Sequence, residues 1–424
     1  MRYQLSIIKV LYFPVVKKHR KLILFVIFFH ASLLFAQVPC KPFPQHAPYF
    51  TNTIKPNNIS QPALDRAVTN FYTQWKARYI KTSQNQSYIW FQEVGNKQCV
   101  SEGQGYGMVI TALMAGFDLS ARNTFDNLYR YYKAHPSNRG SHLMAWAQDV
   151  KGKDIDQTSA TDGDMDIAYS LLLANSQWGS KGAINYLQAA KAMIADIMQY
   201  EINPNEWLVL ISNGIEAESK DYNDTRTSDF MPANFKAFYL ATGDERWQQV
   251  IDHNYRLFLE MQNKYSPDAG LVPDFIVHIN KTPKPAPPHY LESEYDGLYN
   301  YNACRVPWRI GLDYLLNGDT RSKAFVQKIN SWIRETTNNN TYNLSAGYTL
   351  AGNDIHGRYF EALSFITPFA VSAMVDQKNQ QWLNNVWDYT MNFKLKDFDY
   401  YDNTIKMLNI IILSGNYWQP DALR

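Results

Sequence analysis

Three short stretches concentrate side chains able to move protons. Ser101-Glu102-Gly103-Gln104-Gly105-Tyr106-Gly107-Met108 sets a carboxyl group just before a helical pattern, with glycines at alternate positions whose bare backbone would leave room for a bulky ligand. The same residues also make an ordinary helix start, with Ser101 as cap and Glu102 at the positive end of the helix dipole. A phosphate loop is disfavoured, because no strand pattern precedes the motif and the Lys-Ser/Thr ending is missing. Ala160-Thr161-Asp162-Gly163-Asp164-Met165-Asp166-Ile167-Ala168-Tyr169 brings three aspartates to the mouth of an apolar helix. Calcium is disfavoured, since Ile167 and Leu173 stand where an EF-hand loop needs Gly and Glu. One aspartate suffices for a cap, which leaves Asp162 or Asp164 for substrate, water or another carboxyl. The third stretch is Tyr290-Leu291-Glu292-Ser293-Glu294-Tyr295-Asp296-Gly297, followed by Asn302-Ala303-Cys304-Arg305-Val306-Pro307-Trp308-Arg309. Pro307 belongs in the first turn of a helix, which puts the acids on the loop before it. A solvated charged loop is the plain alternative for any one of these acids.

The elements that must position these residues are helices. Apolar residues recur at helical spacing over 61–80, 105–118, 121–134, 164–178, 182–200, 232–242, 245–263, 306–317, 321–336, 360–376, 379–394 and 402–415. Ala241-Thr242-Gly243-Asp244 and Leu316-Asn317-Gly318-Asp319 are near copies in which Gly stops one helix and a polar residue can cap the next. Strand-like alternation is sparse. Twelve helices in consecutive hairpins predict an all-α closed double ring, with inner helices apolar nearly all round, as the Leu171-Leu172-Leu173 and Ile410-Ile411-Ile412 runs suggest. The stretches 136–161, 203–231 and 265–304 are too long and polar for simple turns, so the chemistry is expected on them.

Bulk properties set the remaining bounds. A net charge of +2 gives no electrostatic reason to expect nucleic acid as partner. The basic run Lys17-Lys18-His19-Arg20-Lys21, followed by an apolar stretch from Leu22 to Ala36, reads as an export signal. That stretch contains His30 and is shorter than the ~20 apolar residues of a membrane span. Residues 1–36 are therefore expected to leave, giving a secreted or periplasmic protein, with 37–424 as one catalytic domain and no stable membrane association. Cys40, Cys99 and Cys304 allow one bridge and a free thiol, or none, and their spacing disfavours both zinc and thiol catalysis. The 29 Tyr, 22 Phe and 11 Trp exceed what a helical core needs, and flat aromatic faces suit sugar rings.

Taken together, the motifs at 101–108, 160–169 and 302–309 resemble glycoside hydrolase family 8, in order and spacing as well as in residues. The resemblance implies an (α/α)6 barrel with an open cleft, inverting hydrolysis of β-1,4-linked polymers, no cofactor or metal, and Glu102 as the general acid. Inversion needs a second carboxyl, roughly 6.5–9.5 Å away, to deprotonate the attacking water. Where the endoglucanase and xylanase branch carries an aspartate base, this chain has Asn302, and an amide cannot accept that proton usefully. The branch containing chitosanases and some β-glucanases resembles this chain in having the asparagine, and implies a base on the preceding loop. Glu292 is chosen over Glu294 for its Tyr-Leu-Glu context and its distance from the 302–309 motif. Asp162 resembles the cleft aspartate that supports the sugar ring or the water, while Asp164 shapes the helix start or contacts substrate. Trp146 resembles a stacking platform, Tyr359 is a further sugar contact, and Arg305 could hold the loop acids through paired hydrogen bonds.

These readings predict a monomeric, endo-acting hydrolase with polysaccharide as its partner. Asn302 and the acid-rich loops (Glu216, Glu218, Asp221, Asp224, Asp229; Glu292, Glu294, Asp296) favour the cationic polymer chitosan. The alternatives are a lichenase or endo-β-1,4-glucanase acting on neutral β-glucan, and a sugar-binding protein that has lost catalysis.

Overall fold

In the computed structural model, which describes residues 38–355 and 362–421, each of the twelve periodic segments contains a helix. In chain order they are α1 (Gln61–Tyr79), α2 (Ser101–Leu113), α3 (Ala121–Ala134), α4 (Thr161–Trp178), α5 (Tyr186–Tyr200) and α6 (Pro232–Thr242). The second half holds α7 (Arg246–Tyr265), α8 (Val306–Asn317), α9 (Thr320–Thr336), α10 (Leu363–Ala373), α11 (Gln380–Asn392) and α12 (Tyr400–Leu413). The export segment expected at 1–36 lies outside the described residues.

The even-numbered helices pack side by side in sequence, and α12 returns to α2, closing an inner ring. Each odd-numbered helix lies outside an inner one: α3 on α2, α5 on α4, α7 on α6, α9 on α8 and α11 on α10, each on the helix before it in the chain, and α1 on α12 from the other end of the chain. This is an (α/α)6 barrel. Burial follows sequence character: α4 is buried without a break from Thr161 to Ala174, and every residue of α10 is buried. Outer helices bury one stripe; α3 buries Phe125, Leu128, Tyr131 and Tyr132 and leaves its charged residues outside. Both near-copy turns work as expected. Gly243 and Gly318 end α6 and α8 at φ 70° and 69°, where a side chain would be strained, and Asp319 caps α9 by accepting the Arg321 N–H.

Because inner-to-outer turns are short, the long outer-to-inner connections collect at the rim where the inner helices begin. Small antiparallel sheets pin them there. Residues 97–100 pair with 147–149, which pair with 154–156, while 275–277 lie between 225–226 and 284–285. The strand at 97–100 runs directly into α2, contrary to the expectation of none before that motif, so the case against a phosphate loop no longer includes a missing strand and keeps the missing Lys-Ser/Thr ending.

Two starts come three or more residues earlier than periodicity predicts: α2 at Ser101 rather than 105, and α4 at Thr161 rather than 164. Glycines and acids weaken the apolar pattern there, and packing overrides propensity. A Cβ on Gly163 would lie 2.5 Å from Ser101 Oγ and 2.7 Å from the Glu102 nitrogen, so the first turns of α2 and α4 touch backbone to backbone. Gly103, Gly105 and Gly107 leave no room for a ligand. Their missing side chains admit the Tyr400 ring, the α4 backbone with Asp166, and Ile89. All three cysteines are free thiols, Cys99 and Cys304 buried and Cys40 exposed. None of the described helices is long and apolar enough to cross a membrane.

Candidate active site

Glu102 and Asp162 sit in the adjoining first turns of α2 and α4, held on the two sides of one guanidinium nitrogen. Arg305 Nη1 donates to Glu102 Oε2 and to Asp162 Oδ2, each at 2.8 Å, and to the Tyr106 hydroxyl at 3.1 Å. Its Nη2 donates to Ser228 Oγ at 2.8 Å and to Asn302 Oδ1 at 2.9 Å. Ser101 is not the cap expected of it. The N-cap of α2 is Val100, with no side-chain cap bond.

The two carboxyls differ in their surroundings, and this separates their proton affinities. Burial pushes Glu102 up to about 7, against the attraction of Arg305 and with help from the neighbouring negative charge of Asp162. Burial would raise Asp162 as well, but Arg226 and Arg305, with hydrogen bonds from Arg305 and the Gly163 N–H, bring it down to about 2. Near pH 6 one site therefore holds a protonated acid beside a permanent anion. Glu102 is the one that reaches the opening, its side chain 17% exposed against 3% for Asp162.

Glu292 enters from the loop between α7 and α8. Asn302 Nδ2 donates to Glu292 Oε2 at 2.7 Å, and since Asn302 Oδ1 is taken by Arg305, the amide can be oriented only one way. Asn302 and Arg305 therefore link Glu292 to Glu102 without bringing the two carboxyls into contact. Arg226 extends the network: its Nη2 lies 3.3 Å from Asp162, its Nε bonds Asp229 at 2.9 Å, and its Nη1 is 3.9 Å from Glu292. The loop is held by Asp296, whose carboxylate accepts the N–H groups of Leu291, Glu292 and Ser293 at 2.6, 2.9 and 2.9 Å. Asp296 is consumed by this clamp. Exposed Glu294 does not line the cavity that Glu292 lines.

That cavity, about 330 Å³, is bounded by Glu102, Asp162, Glu292, Asn302, Arg226 and Arg305 and walled by Phe91, Trp146, Tyr301 and Tyr401. Trp146 is thus placed as an aromatic wall, and its carbonyl accepts the Ser101 N–H at 2.8 Å, tying the wall to the helix that carries Glu102.

Several expectations need revision. Arg305 does not grip the loop acids directly; it binds Glu102 and Asp162 and reaches Glu292 only through Asn302. Asn302 is committed to this relay. Asp164 is fully buried, accepts the Met144 N–H at 2.8 Å and does not border the cavity, so it is not placed to contact substrate. Tyr359 lies outside the described residues. Part of the expected rim acidity is internal, since Asp229 and Asp296 are buried and buried Asp224 accepts from Tyr290 and the His278 N–H, while exposed Glu216 is paired with Arg139. Arg226, Ser228, Tyr301 and Tyr401 escaped sequence reasoning. Arg226 is the one that left a signal, a lone arginine within the acid-rich run Asp221–Asp229.

A helical double ring with an aromatic-walled cavity, and separated carboxyls of unlike proton affinity facing into it, is the apparatus of a glycoside hydrolase. Residues 54–414 match the family model of glycosyl hydrolases family 8, and the chain belongs to that family. It is 46% identical to a β-glucanase of Niallia circulans over 92% of this chain and 93% of that protein. It is 41% identical to an endoglucanase of Bacillus sp. (strain KSM-330), over 90% of this chain and 82% of the relative. A solved β-1,3-1,4-glucanase from Paenibacillus sp. X4 superposes with a TM-score of 0.86 at 46% identity, covering 90% of this chain and all of that one.

Proposed function

We propose that the protein is an endo-acting, inverting β-glucanase that cleaves mixed-linkage β-1,3-1,4-glucan. Glu102 gives its proton to the departing glycosidic oxygen. Glu292 takes a proton from the water whose oxygen attacks the anomeric carbon from the opposite face, and both carboxyls then reset through solvent. Asp162 stays ionised, supports the positive charge developing on the sugar ring and helps keep Glu102 protonated. The observation that carries this reading is that Glu102, whose carboxyl burial pushes up, and Glu292 face the same cavity across the Arg305–Asn302 relay. The names of the similar proteins support glucan as substrate. The electrostatic motive for chitosan weakens once Asp229, Asp296 and Asp224 are accounted for inside the protein and Glu216 by its surface pairing with Arg139. An enzyme for such a polymer acts where the polymer is, which accords with reading residues 1–36 as an export signal; the N-terminal residue of the exported protein tests it.

Reducing-sugar release from barley β-glucan, carboxymethylcellulose and chitosan, measured side by side, tests the substrate; turnover of chitosan alone would overturn the glucan reading. Glu292→Gln should lower kcat by ~10²–10⁴-fold, the usual contribution of a general base, while oligosaccharide binding persists. Full activity in that variant would remove Glu292 from the mechanism.

A further inference from the structure

Behind the cavity lies a second pair of carboxyls that the proposed mechanism does not use. Asp164, in the first turn of α4, and Glu201, which follows α5, are both fully buried and stand within hydrogen-bonding reach of each other. Asp164 Oδ1 accepts the Met144 N–H at 2.8 Å, and one Glu201 oxygen accepts the Ser159 hydroxyl. The remaining oxygens, Asp164 Oδ2 and Glu201 Oε2, have no other donor among the described residues. Two carboxylate oxygens cannot satisfy each other, whereas a carboxylic acid and a carboxylate can.

The location gives this contact leverage. Met144 lies two residues before Trp146, whose carbonyl holds the Ser101 N–H, and Ser159 leads into the turn that carries Asp162. The pair therefore joins the aromatic wall to the start of α4. We propose that Asp164 and Glu201 share one proton, and that this acid pair positions Trp146 and Asp162 for the reaction. The second half of the proposal rests on the glucanase reading above; the shared proton does not.

Other groups facing the pair reinforce it. Asp162 and Asp229 add negative charge, the Tyr132 ring is close to Asp164, and the Thr161 hydroxyl lies beside Glu201 while donating to the Leu210 carbonyl, so among the described residues the strongest influences on the pair include no cation. Burial raises both carboxyls, and each is held up further by a neighbouring anion, Asp164 by Glu201 and Glu201 by Asp229. A carboxyl raised in the folded state contributes stability that is present in full below its unfolded value and declines as pH rises toward its folded value.

Glu201→Gln supplies the missing donor without a proton, because its amide can donate to Asp164 while its carbonyl still accepts from Ser159. Between pH 5 and 7 the folding equilibrium constant of the native protein should fall about tenfold more per pH unit than that of Glu201→Gln, a difference of one proton. Asp164→Asn, which keeps the Met144 contact, should show the same flattening. Equal slopes in native protein and both variants would overturn the shared proton. The positioning role is read from Trp146 emission, isolated by difference from Trp146→Phe. It should shift as pH rises from 7 to 9.5 in the native protein and stay constant in Glu201→Gln, with KM for glucan following the same pattern. Emission that moves identically in both proteins would make the pair merely structural. Normal emission behaviour without any glucan turnover would instead count against the glucanase reading.

Discussion

Replacing Arg305 by lysine keeps the positive charge and removes the geometry. The guanidinium serves five partners from two nitrogens: Glu102 and Asp162 at 2.8 Å and the Tyr106 hydroxyl at 3.1 Å from Nη1, Ser228 at 2.8 Å and Asn302 at 2.9 Å from Nη2. An ammonium on a single nitrogen can keep the two carboxylates but cannot reach Ser228 and Asn302 as well. Hydrogen bonds to charged groups contribute ~1.5–3 kcal/mol each, and with partial replacement by water the loss should be ~3 kcal/mol of transition-state stabilisation. That corresponds to a fall of ~100-fold in kcat/KM. Freeing Asn302 releases Glu292 from its 2.7 Å contact, so most of the fall should appear in kcat. The charge beside Glu102 remains, and the alkaline limb of the pH profile should stay where it is in the native enzyme. In Arg305→Met that attraction is lost, so the limb should move to higher pH, and the uncompensated carboxylates should cost ~3–5 kcal/mol of stability. The assay is kcat and KM on mixed-linkage glucan from pH 4.5 to 9, with thermal melts to confirm folding. A folded Arg305→Lys enzyme within threefold of native kcat/KM would refute the relay.

In the proposed mechanism Glu102 acts in its protonated form, and with its carboxyl pushed up to about 7, kcat/KM of the native enzyme should decline as pH rises through 7, tenfold per unit beyond it. A decline beginning below pH 5 would assign the acid role elsewhere. Gly163→Ala should destabilise the fold by ~1–3 kcal/mol through overpacking against the Ser101–Glu102 backbone, read from the denaturation midpoint, and should lower kcat by displacing Glu102. An unchanged midpoint would mean that the first turns of α2 and α4 separate without cost.

How far the sequence could be read follows from where each signal resides. Helical periodicity is local, so all twelve helices and the two glycine-ended turns were legible, and errors arose where local pattern and packing disagree. The glycines at 103, 105 and 107 look like space for a ligand when read along the chain. In the barrel they are filled by Tyr400, α4 and Ile89, residues remote in sequence or lying on another element. Asp164 was misread for a similar reason: its partners, Met144 and Glu201, carry no motif that links them to α4.

What the sequence determined by itself was the set of parts: the all-helical ring, the placing of Glu102 and Asp162 beside helix starts, and the missing acid at Asn302 that directs attention to Glu292. Only tertiary structure decided how those parts are wired. The bonds that define the site span 203 residues from Arg305 to Glu102 and 143 from Arg305 to Asp162, distances over which no periodicity survives. Proton affinity is decided at the same level. Glu102 and Asp162 occupy equivalent turns of neighbouring helices, and they part company because burial prevails at one while two guanidinium groups prevail at the other.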